Sequence, residues 1–313
     1  MIWIVAINLV VFGLFVVFFT TYQIFIHTLY RNPKKARTRK CGEENCEDQK
    51  KIFDQGVAWA TDYQDSTEDL HIVNDGLNLY GQYINLGYDR CAVIVQGRTE
   101  SLLYSYYYAD VYVKSGYNIL VIDTRAHGLS DGNYITAGVQ EHKDLIRWIE
   151  LIKTRYGIGS FVIHGICIGA ATAVYTYCAL KKENLIQKIV LDGIFTNYYE
   201  IFKNHIIERK KPVFCFVYLT FFLTYLCTGA RLLKETPYKR MSEIDIPVLF
   251  MWSKKDIYCI EEKNREVFAA CQSKDKEVRF FPDGGHSFVR FSHREEYDKT
   301  VLAFLKKSEA EML

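Results

Sequence analysis

Apolar positions along the chain change their period several times, and these changes predict an alternation of strands and helices. Two strand-like runs flank Asn74, Asp75 and Gly76, which is a strong hairpin signal. Short apolar runs typical of buried parallel strands follow: CAVIVQG, YNILVID, SFVIHG, QKIVLDGIF, IPVLFMW and KEVRFFP. Helical spacing occurs between them, over about 101–115 and 138–155 and finally over 294–307. This order predicts an α/β fold with a mostly parallel sheet covered by helices on both faces.

The chain begins with a long apolar segment. No residue from Ile2 to about Phe25 is charged. A helix of roughly 20–25 such residues can cross the hydrocarbon layer, which is about 30 Å thick. A cleaved signal peptide would have a basic first region, a shorter apolar core and a small-residue cleavage site, and none of these is clear here. The segment therefore predicts a transmembrane anchor at 1–30, with residues 2–26 in contact with the membrane.

The charge that follows this anchor predicts its orientation. Residues 1–40 contain no acidic residue and six basic ones, namely Arg31, Lys34, Lys35, Arg37, Arg39 and Lys40. Basic residues beside a span tend to stay cytoplasmic. We therefore expect a single-pass protein of the cell membrane, with a linker at 31–67 and a cytoplasmic domain at 68–313. Residues 41–313 hold 33 basic and 37 acidic residues, so a nucleic-acid partner is not indicated.

Nine cysteines, an odd number, are scattered along the chain. This distribution does not indicate a disulfide framework. Cys41 and Cys46 lack a second pair of ligands, so we interpret them as free thiols and not as a zinc site. We expect no metal and no nucleotide cofactor, because the chain shows no clustered ligands and no phosphate-binding glycine loop.

One cysteine lies between glycines where a strand is expected to pass into a helix. The segment is Gly165-Ile166-Cys167-Ile168-Gly169, which matches the nucleophile-elbow pattern with cysteine in the serine position. Such a turn is sharp, so glycines are needed where a Cβ atom would clash. The helix N-terminus that follows favours an anion, here a thiolate. Cys167 is therefore the candidate nucleophile.

Two further residues supply the partners that such a nucleophile needs. Asp256 follows the strand IPVLFMW, and His286 follows the strand VRFFP. The order nucleophile, acid, base is the order found in α/β hydrolases. We expect His286 to take the thiol proton from Cys167 and Asp256 to orient the imidazole.

An oxyanion hole requires two N–H donors beside the nucleophile. We expect one from the backbone of Ile168 and the other from the backbone of Arg98, in the loop after CAVIVQG. Gly97 allows that loop to approach the substrate carbonyl. Two roles are open for the side chains of Arg98 and Glu100, contact with the substrate or a surface ion pair, and we favour the ion pair.

Several motifs together resemble those of the α/β-hydrolase superfamily. The resemblance covers about residues 70–305 and is closest to the branch of monoacylglycerol lipases, lysophospholipases and serine-aminopeptidase-type hydrolases. The motifs are VQGRTES, VIDTRAHGLSDG, GICIGAA, SKKD and GGHSF. The resemblance implies that His127 shapes the wall of the site and is not the catalytic base. Two positions depart from the family: Gln96 replaces the usual histidine, and Cys167 replaces serine, as in dienelactone hydrolases.

Residues 196–240 interrupt the alternation and are too long for a simple loop. Within them, 213–226 is apolar nearly all round. This segment is either a second membrane span or a lid helix over the site. We favour the lid, because a second span would separate Asp256 and His286 from Cys167 by the membrane.

The leading hypothesis is a membrane-anchored hydrolase that cleaves an ester or thioester through a thioacyl-enzyme. The anchor and the apolar lid favour a lipid-like acyl substrate. Two alternatives remain open, a non-catalytic membrane protein that uses the same fold for binding and a cysteine-dependent acyltransferase.

Overall fold

The structure is a computed structural model that describes residues 1–32, 46–213 and 215–307. The predicted basic residues from Lys34 to Lys40 lie outside the described residues, as do Cys41 and the side chain of Cys46. The sheet, the end of the apolar N-terminal segment and all the predicted catalytic residues lie inside them.

Eight strands form one sheet at the centre of the domain. They are β1 (Thr67–Asn74), β2 (Leu77–Ile84), β3 (Arg90–Val95), β4 (Asn118–Ile122), β5 (Ser160–Ile166), β6 (Ile186–Asp192), β7 (Val248–Ser253) and β8 (Lys276–Phe281). Their order across the sheet is β1-β2-β4-β3-β5-β6-β7-β8. The β1–β2 and β2–β4 pairs are antiparallel, and all other neighbours are parallel. The predicted mostly parallel α/β sheet is confirmed.

The predicted hairpin is also present. Asn74 pairs with Leu77 across the β1–β2 turn, and the two residues between them, Asp75 and Gly76, both have positive φ angles. Positive φ at both central positions is what a two-residue hairpin turn of this type requires, which is why Asp-Gly is a favoured pair.

Helices connect and cover the strands. They are α1 (Ile2–Thr28), α2 (Cys46–Thr61), α3 (Leu102–Ser105), α4 (Asp110–Val113), α5 (Glu141–Tyr156), α6 (Ile168–Leu180), α7 (Tyr198–Glu208), α8 (Phe216–Thr228), α9 (Pro237–Arg240), α10 (Glu261–Ala270), α11 (Val289–Ser292) and α12 (Arg294–Lys307). Short 3-10 turns occur at Gln64–Ser66, Tyr106–Tyr108, Lys181–Glu183 and Met241–Glu243.

The helix expected over 101–115 is broken into α3, a 3-10 turn and α4. Tyr106, Tyr107 and Tyr108 are all buried. Three successive rings cannot share one face of an α-helix, because adjacent residues point about 100° apart. The tighter turn directs Tyr106 to Gln82 and Tyr108 to the carbonyl of Ser287.

Helix α1 is long and apolar enough to cross a membrane, by length and composition. Its 27 residues measure about 40 Å, and most of its apolar side chains before Thr21 are exposed. A membrane anchor and a signal sequence both have these properties.

The C-terminal end of α1 is part of the domain. Leu29 is completely buried. Its carbonyl accepts from the amide of Ile135 at 2.9 Å, and the amide of Arg31 donates to the carbonyl of Asn133 at 2.6 Å. Tyr30 and Tyr134 form the β-bridge between these two hydrogen bonds. The division into 1–30, 31–67 and 68–313 stays a prediction, but the end of α1 is not a loose tether.

Helix α8 contributes the apolar part of the predicted insertion. It has 13 residues, or about 20 Å, which is less than the thickness of the hydrocarbon layer. Phe221 on its buried face packs against Tyr198 and Phe202 of α7, and the helix also contacts α1. The opposite face exposes large apolar side chains, which are Tyr218, Phe222, Tyr225 and Leu226.

Shortening Leu29 tests whether the last turn of α1 belongs to the core. Leu29→Ala should lower the free energy of unfolding by about 2–5 kcal/mol, because it leaves a cavity at a fully buried site. Leu14→Ala, at a side chain that is 64% exposed, is the matched control and should leave it unchanged. Urea unfolding of the full chain in mild detergent measures both. Equal midpoints for the two variants would show that the turn packs loosely.

Candidate active site

Cys167 stands at the junction of β5 and α6 in a strained backbone conformation. Its φ is 54° and its ψ is −112°, a region that residues other than glycine rarely adopt and that costs about 1–3 kcal/mol. The amide of Cys167 donates to the carbonyl of Asp192 at 2.8 Å, which attaches the turn to the end of β6. The side chain therefore stands at the carboxyl edge of the sheet, at the start of α6.

The glycines on either side of Cys167 permit this close packing. A Cβ atom on Gly165 would lie 2.3 Å from the carbonyl oxygen of Gly169. A Cβ atom on Gly169 would lie 2.1 Å from the carbonyl oxygen of Val95, at the end of β3. Both contacts are with backbone, which cannot move aside as a flexible side chain can.

Asp256 and His286 lie side by side, although they come from different loops. Asp256 follows β7 and His286 follows β8. The Nδ1–H of His286 donates to Oδ2 of Asp256 at 2.7 Å. The other oxygen, Oδ1, accepts from the amides of Tyr258 and Cys259, each at 2.8 Å. These bonds fix the carboxylate, and the carboxylate fixes the orientation of the imidazole.

Nearby negative charge controls the protonation of His286. Burial alone would lower the pKa of His286, but the Asp256 carboxylate and the sulfurs of Cys167 and Cys259 outweigh it and hold the pKa well above its ordinary value. The second ring nitrogen, Nε2, is buried and has no hydrogen-bond partner within 1–32, 46–213 and 215–307. An imidazole oriented at Nδ1 and free at Nε2 is suited to proton transfer.

Three of the predicted residues line one cleft of about 900 Å³, but among the described residues no hydrogen bond joins Sγ of Cys167 to Nε2 of His286. Cys167, His286 and Arg98 line it, Asp256 lies behind His286, and Ile168 follows Cys167 at the start of α6. Helix α1 and the insertion also contribute lining residues, which are His27, Arg31, His205, Glu208 and Arg209.

The loop that carries Arg98 is held by several neighbours. The backbone carbonyl of Arg98 accepts from Nε2–H of His127 and from the guanidinium of Arg31, the latter at 3.2 Å. The side chain of Arg98 donates to the carbonyl of Thr28 at 3.2 Å. Among the described residues, the amide of Arg98 donates to no protein acceptor, so this N–H group remains available for an oxyanion.

The prediction of a surface ion pair between Arg98 and Glu100 is wrong. Glu100 instead accepts from the side chain of Gln49 at 2.7 Å and from the amide of Gly97 at 3.2 Å. The bond to Gln49 attaches the loop to α2, and the bond to Gly97 closes the loop on itself. The sequence offered no signal for this, because Gln49 and Thr28 are distant along the chain.

His127 has a structural role, as the resemblance implied. It is completely buried, and burial lowers its pKa to about 4. Nδ1 lies 3.0 Å from both the hydroxyl of Thr124 and the carbonyl of Arg125, while Nε2 lies closer, at 2.5 Å, to the carbonyl of Arg98. We assign the proton to Nε2 on this shortest contact, so that Nδ1 accepts from Thr124. Gln96, in the position of the family's histidine, reaches the same hydroxyl at 3.5 Å.

Two residues near the site were missed from the sequence. Asp192 ends β6, and burial raises the pKa of its carboxyl group to about 7; the hydroxyl of Tyr297 donates to it at 2.8 Å. Cys259 donates its S–H to the carbonyl of Gly193 at 3.5 Å, and burial raises its pKa to about 12. Asp192 was visible at the end of an apolar strand, whereas Cys259 had no distinguishing pattern.

Asp256, Cys259 and His286 each offer one atom within 4.8 Å of the others, a grouping that metal sites also show. Here two of those atoms are already joined by the 2.7 Å hydrogen bond between His286 and Asp256. The arrangement is therefore that of an oriented base, and the expected absence of a metal stays a prediction.

Comparison with known proteins agrees with the architecture. Residues 93–232 match the family model of the α/β hydrolase fold. The chain is 28% identical over 215 residues to the uncharacterized protein YqkD of Bacillus subtilis (strain 168), across 68% of this chain and 70% of that protein. It also resembles the Pyrococcus furiosus esterase Pf2001, with a TM-score of 0.65 and 22% identity over 79% of this chain and 93% of that one. The esterase EaEST of Exiguobacterium antarcticum gives a TM-score of 0.57 and 18% identity, over 76% and 100%.

The family model matches a little less than half of the chain, and together with the eight-stranded sheet it shows that the chain has the α/β-hydrolase fold. The predicted fold class, a mostly parallel sheet whose strands alternate with helices, is confirmed. At this level of identity the solved structures show the fold alone. The finer resemblance, to the lipase and lysophospholipase branch with a cysteine elbow, stays a prediction.

A methyl group at Gly169 tests the packing of the elbow. Gly169→Ala should lower the free energy of unfolding by about 3 kcal/mol or more, because its Cβ would collide with the backbone of β3. Gly159→Ala is the matched control: a Cβ there meets nothing within 4 Å, and the change should stay within about 0.5 kcal/mol. Urea unfolding measures both. If Gly169→Ala and Gly159→Ala unfold at the same urea concentration, the close contact between Gly169 and the carbonyl of Val95 is wrong.

Proposed function

We propose that this chain is a membrane-anchored hydrolase that cleaves an ester or thioester through the triad Cys167, His286 and Asp256. The observation that carries the proposal is the oriented His286, bonded to Asp256 at Nδ1 and unpartnered at Nε2, in the cleft that Cys167 also lines. An imidazole held in this way exchanges protons through Nε2, as a general base does.

The reaction follows from these positions. His286 accepts the proton of Cys167 at Nε2, and the sulfur forms a bond to the acyl carbon. The carbonyl oxygen becomes an oxyanion, which the amides of Arg98 and Ile168 stabilise. The bond to the leaving alcohol or thiol then breaks, and His286 returns the proton to it. Water then gives a proton to His286 and adds to the carbonyl carbon of the thioacyl-enzyme. The carbon–sulfur bond breaks, the acid leaves, and His286 returns the proton to the sulfur of Cys167.

Other cysteines are poorly suited to this role. Burial raises the pKa of both Cys259 and Cys178 to about 12, so these thiols are protonated near neutral pH and are weak nucleophiles. Cys167 lies at the N-terminus of α6 and in the cleft with His286.

A lipid-like acyl substrate is favoured by the place where the cleft opens. His27 and Arg31, at the C-terminal end of α1, line the cleft. If the exposed apolar part of α1 spans the bilayer, the cleft lies at the membrane surface, where an amphipathic ester would present its carbonyl. The lid was expected at 213–226, but no described residue of that segment lines the cleft. The insertion contributes instead His205 and Glu208 of α7 and the next residue, Arg209, while α8 packs against α7.

Changing Cys167 tests the nucleophile. Cys167→Ala should abolish hydrolysis of a p-nitrophenyl ester and of an acyl thioester, and His286→Ala should lower it by several orders of magnitude, because triad members act as a unit. Cys178→Ala is the matched control and should retain full activity. In the wild type, iodoacetamide at neutral pH should alkylate Cys167 before Cys178, as located by mass spectrometry. His286→Ala should slow that alkylation.

Full activity in Cys167→Ala would show that the cysteine mechanism is wrong. If the wild type hydrolyses no acyl substrate and Cys167 reacts no faster than Cys178, the hypothesis of a non-catalytic binding protein replaces that of a hydrolase. Transfer of the acyl group to an added alcohol in preference to water would identify an acyltransferase.

The orientation in the membrane has its own test. The basic residues from 31 to 40 favour a cytoplasmic domain. A membrane-impermeant thiol reagent should therefore leave Cys41 and Cys46 unlabelled in intact cells and label them after permeabilisation. Labelling of both before permeabilisation would reverse the orientation.

A further inference from the structure

We propose that Arg31, three residues beyond the end of α1, is a positioning residue for the oxyanion loop. The proposal rests on the function proposed above, since an oxyanion hole matters only for acyl transfer. It gives the end of α1 a part in the reaction beyond attachment to the membrane.

The carbonyl of Arg98 is held from two sides. Arg31 donates to it from the α1 side at 3.2 Å, and His127 donates to it from the β4 side. His127 is itself fixed by Thr124. Removing Arg31 would leave this carbonyl with one donor and would free the loop to rotate about its own backbone.

The side chain of Arg98 forms a second link to the same helix. Its guanidinium donates to the carbonyl of Thr28, the last residue of α1. Carbonyls in the last turn of a helix have no partner within the helix, and the negative end of the helix dipole favours a cation there. Arg31 therefore donates to the loop, and Arg98 of the loop donates to Thr28. These two hydrogen bonds attach the loop to residues 28–31.

These two hydrogen bonds restrict the backbone N–H of Arg98, which is the donor expected to stabilise the oxyanion. The amide and the carbonyl of Arg98 are joined through its φ and ψ angles, so fixing the carbonyl and the side chain fixes the direction of the N–H. Gly97, the preceding residue, is close to Cys167: a Cβ atom on it would lie 3.7 Å from the Cβ of Cys167. A small rotation of the loop would therefore move the N–H relative to the sulfur.

The end of α1 is rigid enough to serve this purpose. Leu29 is buried, and the backbone of Leu29 and Arg31 is hydrogen-bonded to 133–135. Arg31 consequently starts from a fixed backbone position, and its guanidinium reaches the loop without a flexible linker between them.

Substitution of Arg31 in the full-length protein, in mild detergent, tests the proposal. With a p-nitrophenyl ester, Arg31→Gln should lower kcat about 10- to 100-fold with little change in KM, because a misplaced group loses transition-state contacts without losing substrate binding. Arg31→Lys keeps a donor and should recover part of the loss. Arg147→Gln, an exposed arginine on α5 paired with Glu150, is the matched control and should match the wild type.

Two probes of Cys167 separate positioning from general damage. Alkylation by iodoacetamide forms no oxyanion, so Arg31→Gln should react at the wild-type rate. A trifluoromethyl ketone accepts the sulfur at its carbonyl carbon and leaves an oxyanion, so its affinity should fall by a factor similar to that of kcat. Arg98→Met, which keeps the backbone N–H but loses the bond to Thr28, should behave in the same way as Arg31→Gln.

Each contrary result has a distinct meaning. Wild-type kcat in Arg31→Gln overturns the positioning role and leaves the proposed function intact. A raised KM with unchanged kcat also overturns it, since Arg31 would then bind substrate directly. Slower alkylation in Arg31→Gln overturns it in favour of a purely structural role. If the wild type neither hydrolyses esters nor binds the ketone, the proposed function fails and this proposal fails with it.

Discussion

The contact between the backbone of Gly169 and the carbonyl of Val95 determines much of what surrounds it. It requires that α6 begin directly against the end of β3, with no side chain between them. This forces the chain to turn at Cys167 within one residue, in a conformation that only a well-held site maintains. The hydrogen bond from Cys167 to Asp192 supplies part of that hold. The strain of the turn and the exposure of its side chain to the cleft therefore have the same cause.

Asp256 and His286 are positioned by a different part of the sheet. They come from loops after β7 and β8, and their mutual orientation depends on two backbone amides that fix one carboxylate oxygen. The position of Cys167 depends on β3, β5 and β6. Because these strands are parallel neighbours, their carboxyl ends meet at one edge. The candidate site is thus assembled from strand ends, while the insertion and the segment at the end of α1 line the same cleft.

Sequence reasoning predicted the parts of this arrangement that depend on local pattern. The elbow glycines, the hairpin turn and the strands rich in apolar residues each have a local physical cause that can be recognised in a few consecutive letters. The chemistry of the superfamily supplied the order of Cys167, Asp256 and His286. Links between distant segments could not be predicted in this way. Nothing in the letters around Thr28 or Gln49 indicates that they hold Arg98 and Glu100, because those contacts arise only once the sheet has placed the loop.

The buried last turn of α1 also bears on how the protein is made and turned over. Many anchored enzymes can be shed, since a protease that cuts next to the membrane releases a domain that works in solution. Here a cut on the domain side of α1 would remove Thr28 and Leu29 from the rest of the fold, and with them a piece of the core and a partner of Arg98. The severed domain would lose packing as well as location. A shortened form of the domain therefore needs the end of α1, from about Thr21 onward, to keep its core complete.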